Sequence, residues 1–146
     1  MTELPPRESA GSNGLDSSPR FFSPRFWTAA ASLWTAAILA LALVPDAQSG
    51  WLMQSLGDKI LHGIAFGVGC LLWVWALRAG LRLTRKATIL VGAVIAVALG
   101  IGVEFLQSYV PSRSADPQDI VADVLGVLPV LVYLTLAEVF RRRRSA

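Results

Sequence analysis

Four apolar runs, residues 26–44, 58–77, 87–109 and 120–140, limit what this chain can fold into more than anything else in it. Each has about the ~20 residues an α-helix needs to cross the hydrocarbon core of a bilayer. The 146 residues permit one domain, and the solvent for that domain is lipid. Composition agrees: 54% of residues are hydrophobic and the mean hydropathy is +0.56, more apolar than an ordinary soluble domain. The fold expected is all-α, an integral membrane four-helix bundle spanning residues 26–140. Residues 1–22, rich in Pro, Ser, Gly and charge, read as a disordered tail. Residues 141–146 read as a basic tail.

The first run follows Arg20 and Arg25, as the apolar part of a signal peptide would. It is longer than the ~7–15 residues usual there, so an uncleaved transmembrane helix is the better reading. Pro45 stops it. Trp51, Leu52, Met53 and Leu56 of the next loop suit a short turn lying along the membrane surface. In the second run, Gly63 and Gly67 form a small-xxx-small pair, which allows close helix contact in lipid. Trp73 and Trp75 near its end read as part of an aromatic belt. Cys70, the single cysteine, lies inside an apolar run, where packing explains it.

The third run repeats a motif every four residues: Gly92, Ala96, Gly100, Glu104. At ~100° per residue that stripe winds slowly around the helix. Small residues mark a face packed on another helix, so Glu104 is expected to point into the bundle. Asp116, Pro117 and Asp119 then spell a helix start: an N-cap, a proline whose missing N–H does no harm, and an acid in the first turn. Pro129 in the fourth run is a candidate kink.

Basic residues set the orientation. The N-terminal tail holds Arg7, Arg20 and Arg25; the loop after run two holds Arg78, Arg82, Arg85 and Lys86; residues 141–144 are all Arg. Eleven lie on that side and two, Lys59 and Arg113, on the other. Both termini are therefore expected in the cytoplasm, in a multi-pass protein of the cell membrane. The same pattern accounts for the net charge of +3, so nucleic acid is not an expected partner. The C-terminal arginines could also meet anionic lipid at the cytoplasmic face.

That topology gathers the polar residues at one end. Asp58, Lys59 and His62 open helix two; Glu104 and Gln107 close helix three; Arg113 lies in the loop; Asp119 and Asp123 open helix four. Glu104 sits roughly 7 Å inward of Tyr109 at ~1.5 Å per residue. A carboxylate at such depth is costly in lipid and needs protein or water around it. One shallow, outward-facing pocket fed by three helices is the expected result.

The segments DKILHGIAF and EFLQSYVPSRSADPQDIVADVLG resemble the VanZ-like family of small bacterial membrane proteins. The family pattern opens one helix with Asp-Lys-x-x-His. It continues with Glu-x-x-Gln, a Pro-x-Arg turn, and Asp-x-x-x-Asn/Asp-x-x-Gly. Asp58, Lys59, His62, Glu104, Gln107, Pro111, Arg113, Asp119, Asp123 and Gly126 match it. Two positions depart: Asn is common where this chain has Asp123, and Gly is frequent where it has Ser112. The resemblance implies a cell-envelope process, of the kind linked to teicoplanin resistance, better than it implies a reaction.

Two function classes follow. In the first, a cell-envelope molecule is bound or modified at the outer site. Glu104 and Asp123 would supply charge or act as acid and base, and His62 would relay a proton, having an ordinary pKa near neutrality. Lys59 and Arg113 would engage the anionic group of a lipid or lipid-linked cell-wall intermediate. Gln107, Asp58 and Asp119 would complete the binding site. In the second, the same polar residues form a non-enzymatic network that fixes helix packing. A solute or proton pathway ranks last, because the cytoplasmic halves of helices two to four carry almost no polar groups. His62, Glu104, Asp119 and Asp123 are ligand types that suit zinc or manganese. No compact motif such as His-Glu-x-x-His occurs, and neither metal nor cofactor is expected. A homo-oligomer is plausible, four helices being few to enclose a large cavity.

Overall fold

The computed structural model describes residues 23–44, 57–111 and 116–144. The N-terminal tail, the loop containing Trp51 and the turn containing Arg113 lie outside the described residues, as does the side chain of Asp58. Four helices follow in order: α1 (Pro24–Ala42), α2 (Asp58–Gly80), α3 (Arg85–Gln107) and α4 (Pro117–Arg144). All four are long and apolar enough to cross a membrane. Among the described residues there is no strand.

Local chemistry accounts for the helix starts. The Ser23 hydroxyl accepts from Phe26 N at 3.3 Å at the head of α1, and the Thr84 hydroxyl accepts from Ala87 N at 3.2 Å at the head of α3. Gly57 precedes α2 at φ +74°, a conformation that favours glycine. Asp116 caps α4, its Oδ1 accepting from Gln118 N at 2.9 Å, with Pro117 the first helical residue. α4 runs without a break through Pro129 and on through the four arginines to Arg144.

α2 is the central element and packs against the other three helices, whereas α1 barely meets α3 and does not touch α4. Phe66, Cys70 and Val74 of α2 meet Ala93, Ala96 and Val103 of α3 and Val127 of α4 in the core. Large apolar side chains such as Leu33, Ile60, Leu90, Phe105 and Leu125 are exposed, as a lipid-facing surface requires. In lipid, burial of such groups does not drive helix against helix; close packing and polar pairs do.

The closest packing is between α2 and α4. A Cβ built on Gly126 would collide with the backbone of Gly63, and one on Gly67 would lie 2.7 Å from the Gly126 carbonyl oxygen. The α3 stripe winds as its period requires: Gly92 faces Val74 of α2, whereas Gly100, two turns on, faces Asp123 of α4. The tryptophans do more than mark a belt. Trp73 Nε1 donates to the Thr35 hydroxyl at 3.1 Å, Trp34 Nε1 donates to the Ala65 carbonyl at 3.1 Å, and the Trp75 and Trp27 rings lie 4.6 Å apart. These contacts pin α1 to α2. Belt and helix contact call for the same residue type at the same depth, and only the direction of the side chain separates them.

Candidate functional site

The start of α2, the end of α3 and the start of α4 lie at one end of the bundle, and their polar side chains turn inward there. His62, Glu104, Gln107, Asp119 and Asp123 are all buried, Asp123 with 1% of its surface exposed. His62 Nδ1 lies 3.0 Å from Asp123 Oδ1. With an ionised Asp123 as acceptor, Nδ1 is the donor of that bond; Nε2 lies on the other side of the ring, 3.9 Å from Asp119 Oδ2. Asp119 Oδ1 accepts from Lys59 Nζ at 3.3 Å, and Asp116 Oδ2 accepts from the same ammonium at 3.0 Å. Glu104 Oε2 accepts from the Asp116 backbone N–H at 2.8 Å, which ties the end of α3 to the head of α4.

Each placement has a local cause. His62 lies in the first turns of α2, on the side of that helix that meets α4. Asp119 and Asp123 are one turn apart on α4. The carboxylate of Asp123 fits only because Gly100 presents no side chain opposite it. Gly63 and Gly126 bring α2 and α4 close enough for the His62 ring to reach across.

Lys59 remains about half exposed at the rim, and two carboxylates hold it. Asp116, outside the membrane-spanning helix, is held below the usual carboxylate range, first by the Gln118 N–H and then by Lys59. Asp119 is more than an acid in the first turn of α4: it is buried and bridges towards both Lys59 and His62. Gln107 is buried one turn beyond Glu104. One ligand atom each from His62, Glu104 and Asp119 lies within 4.8 Å of the others, so among the described residues these three could hold a metal ion.

Beside Lys59 and Gln118 a groove opens between α2 and α4 and runs away from the site. Gly63, Gly67 and Gly126 line it where the helices approach most closely, Ile64 and Leu125 flank it, and Pro129 and Val130 end it. Its walls belong to the lipid-facing surface of the bundle.

The sequence reading passed over one cluster, at the opposite end. Glu138 of α4 is buried and accepts from Arg85 of α3 at 3.1 Å, from Arg142 at 2.8 Å and from Arg141 at 3.3 Å. The signal was present in the spacing, an acid three and four residues before two arginines, inside a run that reads first as a topology marker.

A family model described as VanZ/LLP1 matches residues 16–138. The chain belongs to the VanZ/LLP1 family. It is 34% identical over 93 residues to the uncharacterized protein C11E3.10 of Schizosaccharomyces pombe (strain 972 / ATCC 24843). That match covers 62% of this chain and 56% of the yeast protein, so the chain spans little more than half the length of this relative. No solved structure matches. Both the polar end and the glycines that close it lie within the VanZ/LLP1 match.

Proposed function

We propose that this VanZ/LLP1 protein resides in the cell membrane with both termini in the cytoplasm, and that its buried polar end faces outward. There it binds, or modifies, the polar head of a lipid-borne cell-envelope molecule. One observation carries the reading. A buried His62–Asp123 pair, flanked by Glu104 and Asp119, stands beside a groove that opens to lipid and has Lys59 at its head. A chain lying in that groove would bring its head group to the acids and the imidazole. The Asp123 carboxylate fixes the proton on Nδ1, which leaves Nε2 the atom able to take a proton from a bound group. Lys59 is already engaged by two carboxylates, so an incoming anion must compete with Asp116 and Asp119. The link of the family's namesake to teicoplanin resistance favours a cell-wall intermediate as the molecule bound.

Replacing Glu104 with Gln tests this. Sensitivity to envelope-acting antibiotics should change at matched membrane levels of the protein. Wild-type sensitivity would remove Glu104 from the site. Alkaline phosphatase fused at the C-terminus should be inactive if that end is cytoplasmic; an active fusion would contradict the orientation.

A second reading has its own support. The bonds from Lys59 and His62 to Asp116, Asp119 and Asp123 all join α2 to the α4 end, as a purely structural clasp would. Under that reading Glu104→Gln lowers the amount of folded protein, with no separate loss of activity.

A further inference from the structure

We propose that His62, Glu104 and Asp119 form a binding site for one divalent transition-metal cation, of the zinc or manganese class, with Asp123 as its outer-sphere partner. Three helices each supply one ligand, so the set is made by the fold. The three ligand atoms lie within 4.8 Å of one another and all three residues are buried. Zinc takes imidazole nitrogen and carboxylate oxygen at ~2.0–2.2 Å in tetrahedral geometry, so two of its ligands stand ~3.4 Å apart. His62 Nε2 and Asp119 Oδ2, at 3.9 Å, are too far for a hydrogen bond and close enough to share an ion. The full set closes on that ion with side-chain shifts of up to about an ångström at those bond lengths.

The outer contacts point the same way. Histidines that bind metals commonly donate their other ring N–H to a carboxylate, which fixes the tautomer and aims the lone pair. Asp123 does this for His62 at 3.0 Å. Lys59 takes Asp119 Oδ1, leaving Oδ2 turned towards His62. The Asp116 N–H orients Glu104. Charge agrees as well: among the described residues four acids, Glu104, Asp116, Asp119 and Asp123, meet two potential cations, Lys59 and His62. Three protein ligands leave a coordination position open, as in sites where a metal meets a bound molecule. The cation would rest inward of Lys59, which stands at the head of the groove and shares Asp119 with it.

His62 is the single histidine of the chain, so ¹⁵N-histidine labelling reports on it alone. The experiment uses full-length protein in lipid nanodiscs, stripped with chelator and then titrated with Zn²⁺, and in parallel with Mn²⁺ by metal analysis. One ion should bind per chain, and the Nε2 resonance, not Nδ1, should move to a metal-coordinated position. Glu104→Gln and Asp119→Asn should each abolish stoichiometric binding. Asp123→Asn should weaken it by about 10–100-fold while leaving a site. An unmoved Nε2 resonance at saturating Zn²⁺ in the wild-type protein would overturn the proposal without any variant. Binding equally tight in Glu104→Gln and Asp119→Asn would overturn it too. Stoichiometric binding together with wild-type antibiotic sensitivity of Glu104→Gln would uphold the metal site and reject the envelope function.

Discussion

Asp123 of α4 occupies the space that Gly100 of α3 leaves beside it: a Cβ on Gly100 would stand 3.1 Å from the Asp123 carboxyl carbon and closer still to Oδ2. The small residue on one helix and the acid on the other are a single fitted pair. Gly100→Ala should therefore push the carboxylate away from His62. The expected loss is about 1–3 kcal/mol, typical of overpacking in a tight site. Thermal unfolding in detergent checks it, and Gly102→Ala, which meets nothing within 4 Å, should leave stability nearly unchanged.

The α2–α4 contact is tighter and should be less forgiving. In Gly126→Ala the new methyl meets the Gly63 backbone, which cannot rotate aside as a side chain can. The two helices must separate, and His62 then no longer reaches Asp123. Less folded protein should be recovered from the membrane than with Gly80→Ala, where a Cβ meets nothing within 4 Å. Equal recovery of the two variants would contradict the packing described.

At the other end, Glu138 joins α4 to α3 through Arg85. Its bonds to Arg141 and Arg142 stay within one helix and contribute little to holding the helices together. A double-mutant cycle between Arg85→Ala and Glu138→Gln should give a coupling of about 1 kcal/mol. The Arg141–Glu138 cycle should give less. Neither change should alter zinc binding, since the two polar ends lie on opposite sides of the bundle.

Asp116 carries the pH prediction. Its folded-state pKa is held below its ordinary value by the Gln118 N–H first and by Lys59 second, so these contacts stabilise the protein above the ordinary carboxylate pKa. That contribution fades as pH falls through the lowered value. Asp116→Asn keeps a competent cap but loses the charge. The variant should be less stable than wild type at neutral pH, and the gap should close on acidification. A gap that widens as pH falls would contradict the assignment. Asp116→Ala should lose the cap as well, at about 1 kcal/mol.

Much of the architecture was legible because lipid imposes a length and forbids unpaired charge. The four helices follow from run length, and the windings of Gly92, Ala96 and Gly100 follow from the period of four. The D-P-x-D start of α4 is local chemistry and reads directly. What stayed hidden depends on direction. Trp73 and Trp75 carry the same letters whether they face lipid head groups or α1. Glu138 was masked by the arginines around it, which satisfy a topology rule without a partner being named. Asp119 read locally as an acid in the first turn of a helix, because its depth depends on how closely α2 approaches α4, and that is decided by Gly63 and Gly126 together.

The account rests on α2 and α4 delivering His62 and Asp123 to one buried contact. Solid-state NMR of ¹⁵N-histidine, ¹³C-aspartate protein in lipid bilayers measures this directly, because the chain has one histidine. The prediction is a protonated Nδ1 coupled to an aspartate carboxyl carbon at hydrogen-bonding distance, with that coupling lost in Asp123→Ala. A His62 ring coupled to lipid and to no aspartate carboxyl would contradict it.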